Sequence, residues 1–308
     1  MNESYFPLPV EDNMATSWTR GIQACRTLTR LCTAPVQRGT AVRLMSTEND
    51  SNLQVDVDSK TGVATMKMCR PPVNSLNLEY LTSISIALEK LENEKCRGLI
   101  LTSGVPKIFC AGLDILEMYQ PDVERLQVFW RSLQDVWLRL YGSKMATIAA
   151  INGHSPAGGC LLATCCDYRF MAPNYTIGLN ETQLGIVAPF WFKDTMQGVI
   201  GNRETEHALT LGLMYSTDQA LDIKLIDKIV PQEEIQAAAQ EKMKQYLKIP
   251  EVARQLSKDL MRRETLEKLR LRREDDVANF KNFAIRDSVQ KSLGMYLEML
   301  KKKSQQKK

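Results

Sequence analysis

Two six-residue runs with almost no polar side chain, GLILTS at 98–103 and ATIAAI at 146–151, constrain this chain most. Successive side chains of a strand alternate between its faces, so a strand that is apolar throughout must be covered on both. Between the two runs, Leu126, Phe129, Trp130, Leu133, Val136, Trp137 and Leu140 recur at helical spacing. That pattern predicts an amphipathic helix over 122–141 with one buried face. Upstream, GVATMKM (62–68) reads as a strand, RPPVNSLN as a turn, and Leu78, Leu81, Ile84, Leu88 and Leu91 as the buried face of another helix. Ala157–Cys165 reads as a short helix of small residues, and YRFMA and YTIGL as strands. From about Pro189 the text is mostly helical, and charge-rich helices follow Pro250. Strand and helix alternate in the middle and helices take over in the last third. This organisation implies an α/β layered core followed by a helical appendage.

Composition excludes several classes. The net charge is only +4 over 308 residues, and no basic stretch is interleaved with stacking aromatics, which argues against nucleic-acid binding. No run of about 18 apolar residues is present to span a membrane. The eight cysteines form no CxxC pair, and the two histidines, His154 and His207, lie far apart in sequence, so no metal site is expected. The cysteines read as reduced core thiols.

Residues 14–47 carry five arginines and no Lys, Asp or Glu. Trp18, Ile22, Cys25, Leu28 and Cys32 form one apolar stripe among them, the pattern of a mitochondrial transit peptide. Glu3, Glu11 and Asp12 fit such a peptide badly, which makes Met14 a candidate start; cleavage is expected near Leu44-Met45-Ser46. The expected organisation is 1–46 transit peptide, 47–249 core, 250–302 C-terminal helical region and 303–308 basic tail.

The stretch INGHSPAGGC (151–160) poses a chemical choice. Gly153-His154-Ser155 resembles the start of a serine nucleophile elbow, in which the residue after the nucleophile donates its N–H to the oxyanion. Here that residue is Pro156, which has no N–H. His154, adjacent along a strand, points to the opposite face and is badly placed as a base. The alternative is a backbone oxyanion hole. Gly158-Gly159 stands near a helix start, where N–H groups lack internal partners. FCAGLDILEM (109–118) has the same character, with Gly112 before a helix opened by Asp114, which reads as an N-cap. Two such loops can each direct one N–H at a thioester carbonyl on its way to an enolate.

FCAGLDILEM, AAINGHSPAGGCLLATCCDYRFMA and IGLNETQLGI together resemble the crotonase (enoyl-CoA hydratase/isomerase) superfamily, over about residues 53–302. The resemblance implies a spiral of ββα turns with a C-terminal helical region that packs in trimers. By position it implies Leu113 and Gly158 as oxyanion donors, with Ala111, Gly112, Leu113, Asp114, Ile115 and Gly158 holding an acyl-CoA thioester. No cofactor is implied, because CoA is part of the substrate.

Hydratases of this family carry two glutamates, at the positions of Leu161 and Glu181 here. Adding water across a double bond needs two carboxylates to position and deprotonate it. Moving a double bond needs one base, which removes a proton at C2 and returns it at C4. Leu161 with Glu181 therefore implies a Δ3,Δ2-isomerase of fatty-acid β-oxidation in the mitochondrial matrix. The apolar neighbours Ile177, Leu179, Leu184 and Ile186 are expected to desolvate Glu181 and favour its protonated form. The alternatives are another crotonase activity (hydratase, thioesterase or dienoyl isomerase) and an inactive acyl-CoA-binding subunit. Trp191, beside APF, is expected in the core, with the acyl-chain wall as its other reading.

Overall fold

The apolar runs become central strands. In chain order the strands are β1 (Leu53–Asp58), β2 (Val63–Met68), β3 (Gly98–Ser103), β4 (Ala146–Ile151), β5 (Ser155–Pro156), β6 (Tyr168–Met171), β7 (Thr176–Gly178), β8 (Tyr215–Ser216) and β9 (Lys228–Ile229). The larger sheet has the order β1-β2-β3-β4-β6-β9, and β5-β7-β8 form a second, smaller one. Only β1 is antiparallel in the larger sheet; every other neighbour pair runs parallel. The structure, a computed structural model, describes residues 51–305, with side chains to residue 302. The expected transit peptide and its cleavage site lie outside the described residues.

The helices are α1 (Leu78–Asn93), α2 (Val123–Tyr141), α3 (Gly158–Cys165), α4 (Phe190–Ile200), α5 (Asn202–Leu211), α6 (Thr217–Asp222), α7 (Ile235–Leu247), α8 (Glu251–Ala284) and α9 (Asp287–Gln305). They cover both faces of the larger sheet. Leu99, Leu101, Ala149 and Ile151 point into a large core with residues of α1 to α4. Their alternates Ile100, Ala146, Ile148 and Ala150 meet Ile235, Ala239 and Met243 of α7. That is why β3 and β4 tolerate so few polar side chains. β1 is different: Leu53, Val55 and Val57 are half-buried, and the residues between them are exposed. This edge strand was not anticipated, although the strict alternation of LQVDVD is the pattern of a strand covered on one face.

Buried polar groups tie the C-terminal helices to the core. Asp276 of α8 accepts hydrogen bonds from Trp130 Nε1 (2.7 Å), Gln134 Nε2 (2.8 Å) and Trp191 Nε1 (3.1 Å). Asp167 pairs with Lys258 (2.8 Å) and Arg262 (2.9 Å), and burial pushes the Lys258 ammonium down to about 8. Trp191 is completely buried, so it belongs to the core and not to an acyl-chain wall. Helix α9 runs on to Gln305 and so includes the start of the stretch read as a basic tail. Among the described residues no helix is long and apolar enough to cross a membrane, and no group of three His, Cys, Asp or Glu side chains could hold a metal ion.

Candidate active site

The first loop lies between β3 and a 3-10 turn at Ile115–Glu117. Asn74 organises it from the neighbouring two-proline turn. The residue is fully buried at φ 51°, a left-handed conformation that asparagine tolerates better than most residues. Its Nδ2 donates to Phe109 O (2.9 Å), Ser103 Oγ (2.8 Å) and Met68 O (3.3 Å), and its Oδ1 accepts from Arg70 N (2.7 Å). Sequence reasoning placed this residue only in a turn. The available signal was an asparagine, a residue that tolerates left-handed backbone, two positions after the proline pair.

With the loop held this way, most of its N–H groups are taken. Ala111 N donates to Val73 O (3.0 Å), Asp114 N to Leu76 O (3.0 Å), and Gly112 N to Cys110 Sγ (3.4 Å). Leu76 N in turn donates to Gly112 O (2.8 Å). Gly112 and Asp114 thus make both bonds of a parallel bridge to Leu76, so Leu113 turns its own N–H to the opposite side. No described group accepts from it.

The second loop lies between β4 and α3. Phe109 N donates to His154 O (2.9 Å) and His154 N to Lys107 O (2.9 Å), which ties it to the first loop. Ala157, expected as the first helical residue, is instead the N-cap of α3, at φ 48° and ψ −119°. Its N–H donates to Gly178 O (2.8 Å). Gly158 then supplies the first helical N–H, which has no partner within α3. Gly112, at φ 88°, lies against this point: a Cβ there would stand 2.8 Å from Ala157 Cβ and 3.0 Å from Gly158 N. The free N–H groups of Leu113 and Gly158 therefore belong to two abutting backbones.

Glu181 opens a 3-10 turn, Glu181–Leu184, shortly after β7. Because β7 runs beside β5, this turn lies next to the start of α3, and the Glu181 carboxylate acts electrostatically on the Cys160 thiol. The side chain is only 6% exposed, and its Oε2 has no hydrogen-bond partner. Burial raises its pKa to about 7, against the opposing pull of its own backbone N–H. Ile177, Leu179 and Ile186 are buried around this segment and Leu184 is half-buried. Leu161 is buried in the same core.

The remaining expected residues sort by what they touch. Asp114 caps the 3-10 turn through Leu116 N (3.2 Å), accepts from Ser75 Oγ (3.2 Å) and pairs with Arg70 (3.6 Å). Ile115 is half-buried against the core. Ser155 Oγ is buried without a partner, and His154 Nδ1 contacts Thr176 Oγ1 (3.0 Å), so these two do not form a nucleophile–base pair. The cysteines among the described residues are free, and burial pushes the Cys110 thiol up to about 12.

Helix α9 reaches both halves of the site, which the sequence did not disclose. Gln290 Nε2 donates to Met118 O (2.9 Å) and Ala284 O (2.7 Å), and its Oε1 accepts from Gln120 N (2.8 Å). Ser292 lies against Gly185, which ends the Glu181 turn.

Known proteins are similar to this chain in sequence and in fold. The family described as Enoyl-CoA hydratase/isomerase matches residues 58–307. Mouse "Enoyl-CoA delta isomerase 1, mitochondrial" is 54% identical over 252 residues, covering 81% of this chain and 87% of the relative. Its human counterpart of the same name is 52% identical over 250 residues, 80% and 83% of the two chains. The crystal structure of human mitochondrial delta3-delta2-enoyl-CoA isomerase superposes with a TM-score of 0.80 at 50% identity, covering 82% of this chain and 99% of that one. An enoyl-CoA hydratase from Bacillus halodurans gives 0.72 at 22% identity, covering 79% and 99%, a likeness of fold alone. With two abutting loops, a buried glutamate that keeps one oxygen unpartnered and this degree of likeness, the chain belongs to the enoyl-CoA hydratase/isomerase family.

Proposed function

We propose that this protein is an enoyl-CoA isomerase that converts 3-cis- or 3-trans-enoyl-CoA to 2-trans-enoyl-CoA. The observation that carries the proposal is Glu181, a buried carboxylate with one oxygen unpartnered and a pKa near 7, with Leu161 where a hydratase needs its second carboxylate. The N–H groups of Leu113 and Gly158 donate hydrogen bonds to the thioester oxygen, which sits between them. As negative charge gathers on that oxygen, both hydrogen bonds strengthen, and the C2 proton becomes acidic enough to leave. Glu181 takes this proton and the electrons spread over a dienolate. The protonated Glu181 then delivers the proton to C4, and the double bond settles between C2 and C3. A carboxyl group that titrates near neutrality serves both steps, because neither protonation state is far from accessible.

No metal or redox cofactor is needed for this step, and CoA enters and leaves with the substrate. The names of the relatives support a mitochondrial location, and the arginine-rich stretch 14–47 supports a transit peptide and delivery to the matrix. Val252, Leu256 and Leu260 lie exposed along one side of α8 at four-residue spacing, which supports self-association through the C-terminal helices; the family resemblance is what makes the expected assembly a homotrimer.

The direct test follows double-bond migration in a chain-length series of 3-enoyl-CoAs with the wild type and Glu181→Gln. Turnover by the wild type and its loss in the variant, with acyl-CoA binding kept, supports the proposal. Turnover retained without the carboxylate rules out the assigned base.

A further inference from the structure

The turn that carries Gly158 has the geometry of a nucleophile elbow. An elbow is a strand, one strained residue and a helix, with small residues two before and two after the strained one. The residue after it supplies an oxyanion N–H. Here β5 ends at Pro156, α3 begins at Gly158, and Ala157 between them holds φ 48° and ψ −119°. A residue with a Cβ rarely adopts this conformation, and such outliers collect at functional sites. Ser155 and Gly159 are the small flanking residues, and Gly158 is the oxyanion donor. The elbow that Ser155 fails to make is therefore present two residues later, with a methyl group where the nucleophile belongs. Ala157 is half-buried while Gly158, Gly159 and Cys160 are buried, and its methyl stands on the side of the turn that faces Gly112 of the other loop.

We infer that Ala157 is a specificity-determining residue: its methyl fills the nucleophile's station beneath the activated thioester carbonyl, and so confines the site to proton transfer at carbon. The inference rests on the acyl-CoA reading above, because it needs a thioester on Leu113 and Gly158. Such a carbonyl is primed for attack as much as for enolisation. With alanine at the station no bond to the carbonyl carbon can form, the C–S bond to CoA stays intact, and the only group left to act is Glu181.

The test restores a nucleophile. In Ala157→Cys the new sulfur attacks the carbonyl carbon, the bond from that carbon to the CoA sulfur breaks, and the cysteine proton leaves on CoA as its thiol. No redox change occurs and no co-reactant is consumed. The probe is decanoyl-CoA, whose saturated chain cannot isomerise. Intact mass spectrometry reads the decanoyl adduct, and a thiol assay reads the CoA released. Ala157→Cys is expected to acylate with one equivalent of CoA released, at least about 100-fold faster than the wild type or Ser155→Cys, the gain expected from positioning a nucleophile in a bound complex. Ala157→Ser, one atom larger than alanine, is the second variant, and slow release of CoA is its expected outcome.

A folded Ala157→Cys that binds decanoyl-CoA without acylating overturns the inference. Failure of both variants to fold overturns it too, since a nucleophile's station must admit one more atom. If the wild type isomerises 3-enoyl-CoA and Ala157→Cys stays unmodified, this inference falls and the isomerase proposal stands. If Ala157→Cys acylates and the wild type moves no double bond, the isomerase proposal falls and the elbow stands.

Discussion

Gly112 and Gly158 lie back to back, so closely that a Cβ on Gly112 would stand 3.0 Å from the nitrogen of Gly158. These glycines let two loops far apart in sequence, each carrying a free N–H, come into direct contact. Gly112 also holds φ 88°, where any other residue is strained. Gly112→Ala is expected to push the second loop away and lower kcat by about 100-fold, the usual cost of a lost oxyanion donor. KM should change much less, since the hydrogen bonds matter most as the enolate forms. Steady-state kinetics on a 3-enoyl-CoA separates the two parameters.

In the proposed mechanism Glu181 must be ionised to take the C2 proton. With its pKa near 7, kcat/KM is expected to rise with pH through about 7 and then level off. Glu181→Gln should remove most activity, a loss of about 100- to 10,000-fold for a general base, and abolish that inflection. A pH profile of both proteins checks the expectation.

The same burial gives a stability signature. Folded Glu181 binds its proton up to about pH 7, whereas an unfolded glutamate releases it near the ordinary value of 4.5. Between those values the folded state holds more protons than the unfolded one, so this group's contribution falls as pH rises. Below the window the contribution is fully present, and above it a buried charge without a full set of partners remains. Glu181→Gln is therefore expected to stabilise the protein by up to about 3 kcal/mol at pH 8, and hardly at all at pH 4. Urea denaturation at the two pH values reads the difference.

Asn74 holds the first loop with four hydrogen bonds in a left-handed conformation. Asn74→Ala should cost about 2–4 kcal/mol, since Phe109 O loses its side-chain donor and Arg70 N its acceptor. Activity should fall with stability, because Leu113 depends on that loop. Asn74→Gly is expected to relieve the backbone conformation without restoring either property. Thermal melts and turnover of the two variants test this.

Gln290 joins α9 to Met118 and Gln120, just after the 3-10 turn that closes the first loop. Gln290→Ala is expected to cost about 1–2 kcal/mol and to raise KM more than it lowers kcat, because the loop loses its cover while Glu181 keeps its surroundings. A Tm shift without any change in KM would show that α9 supports the fold alone.

Much of this protein was legible in one dimension. Apolar runs at 98–103 and 146–151 required doubly covered strands, and the spacing from Leu126 to Leu140 required a buried helix face. Pro156 ruled out Ser155 as an elbow nucleophile. Those are properties of residue type and period, which a chain carries whether or not it is folded. The contrast of one-base with two-base chemistry at Leu161 and Glu181 came through the family resemblance.

Other properties belong to no residue alone. That Leu113 has the free N–H follows from which neighbours pair with Val73, Leu76 and Cys110. The pKa of Glu181 comes from segments that enclose it, and the roles of Asn74 and Gln290 come from carbonyls 35 and 172 residues away. The strain at Ala157 exists only because β5 and α3 are anchored on either side of it. Sequence determined which groups are available and which chemistry is barred. Tertiary structure decided which N–H groups go unpaired and how far a carboxylate is desolvated, because both depend on what long-range packing places around them.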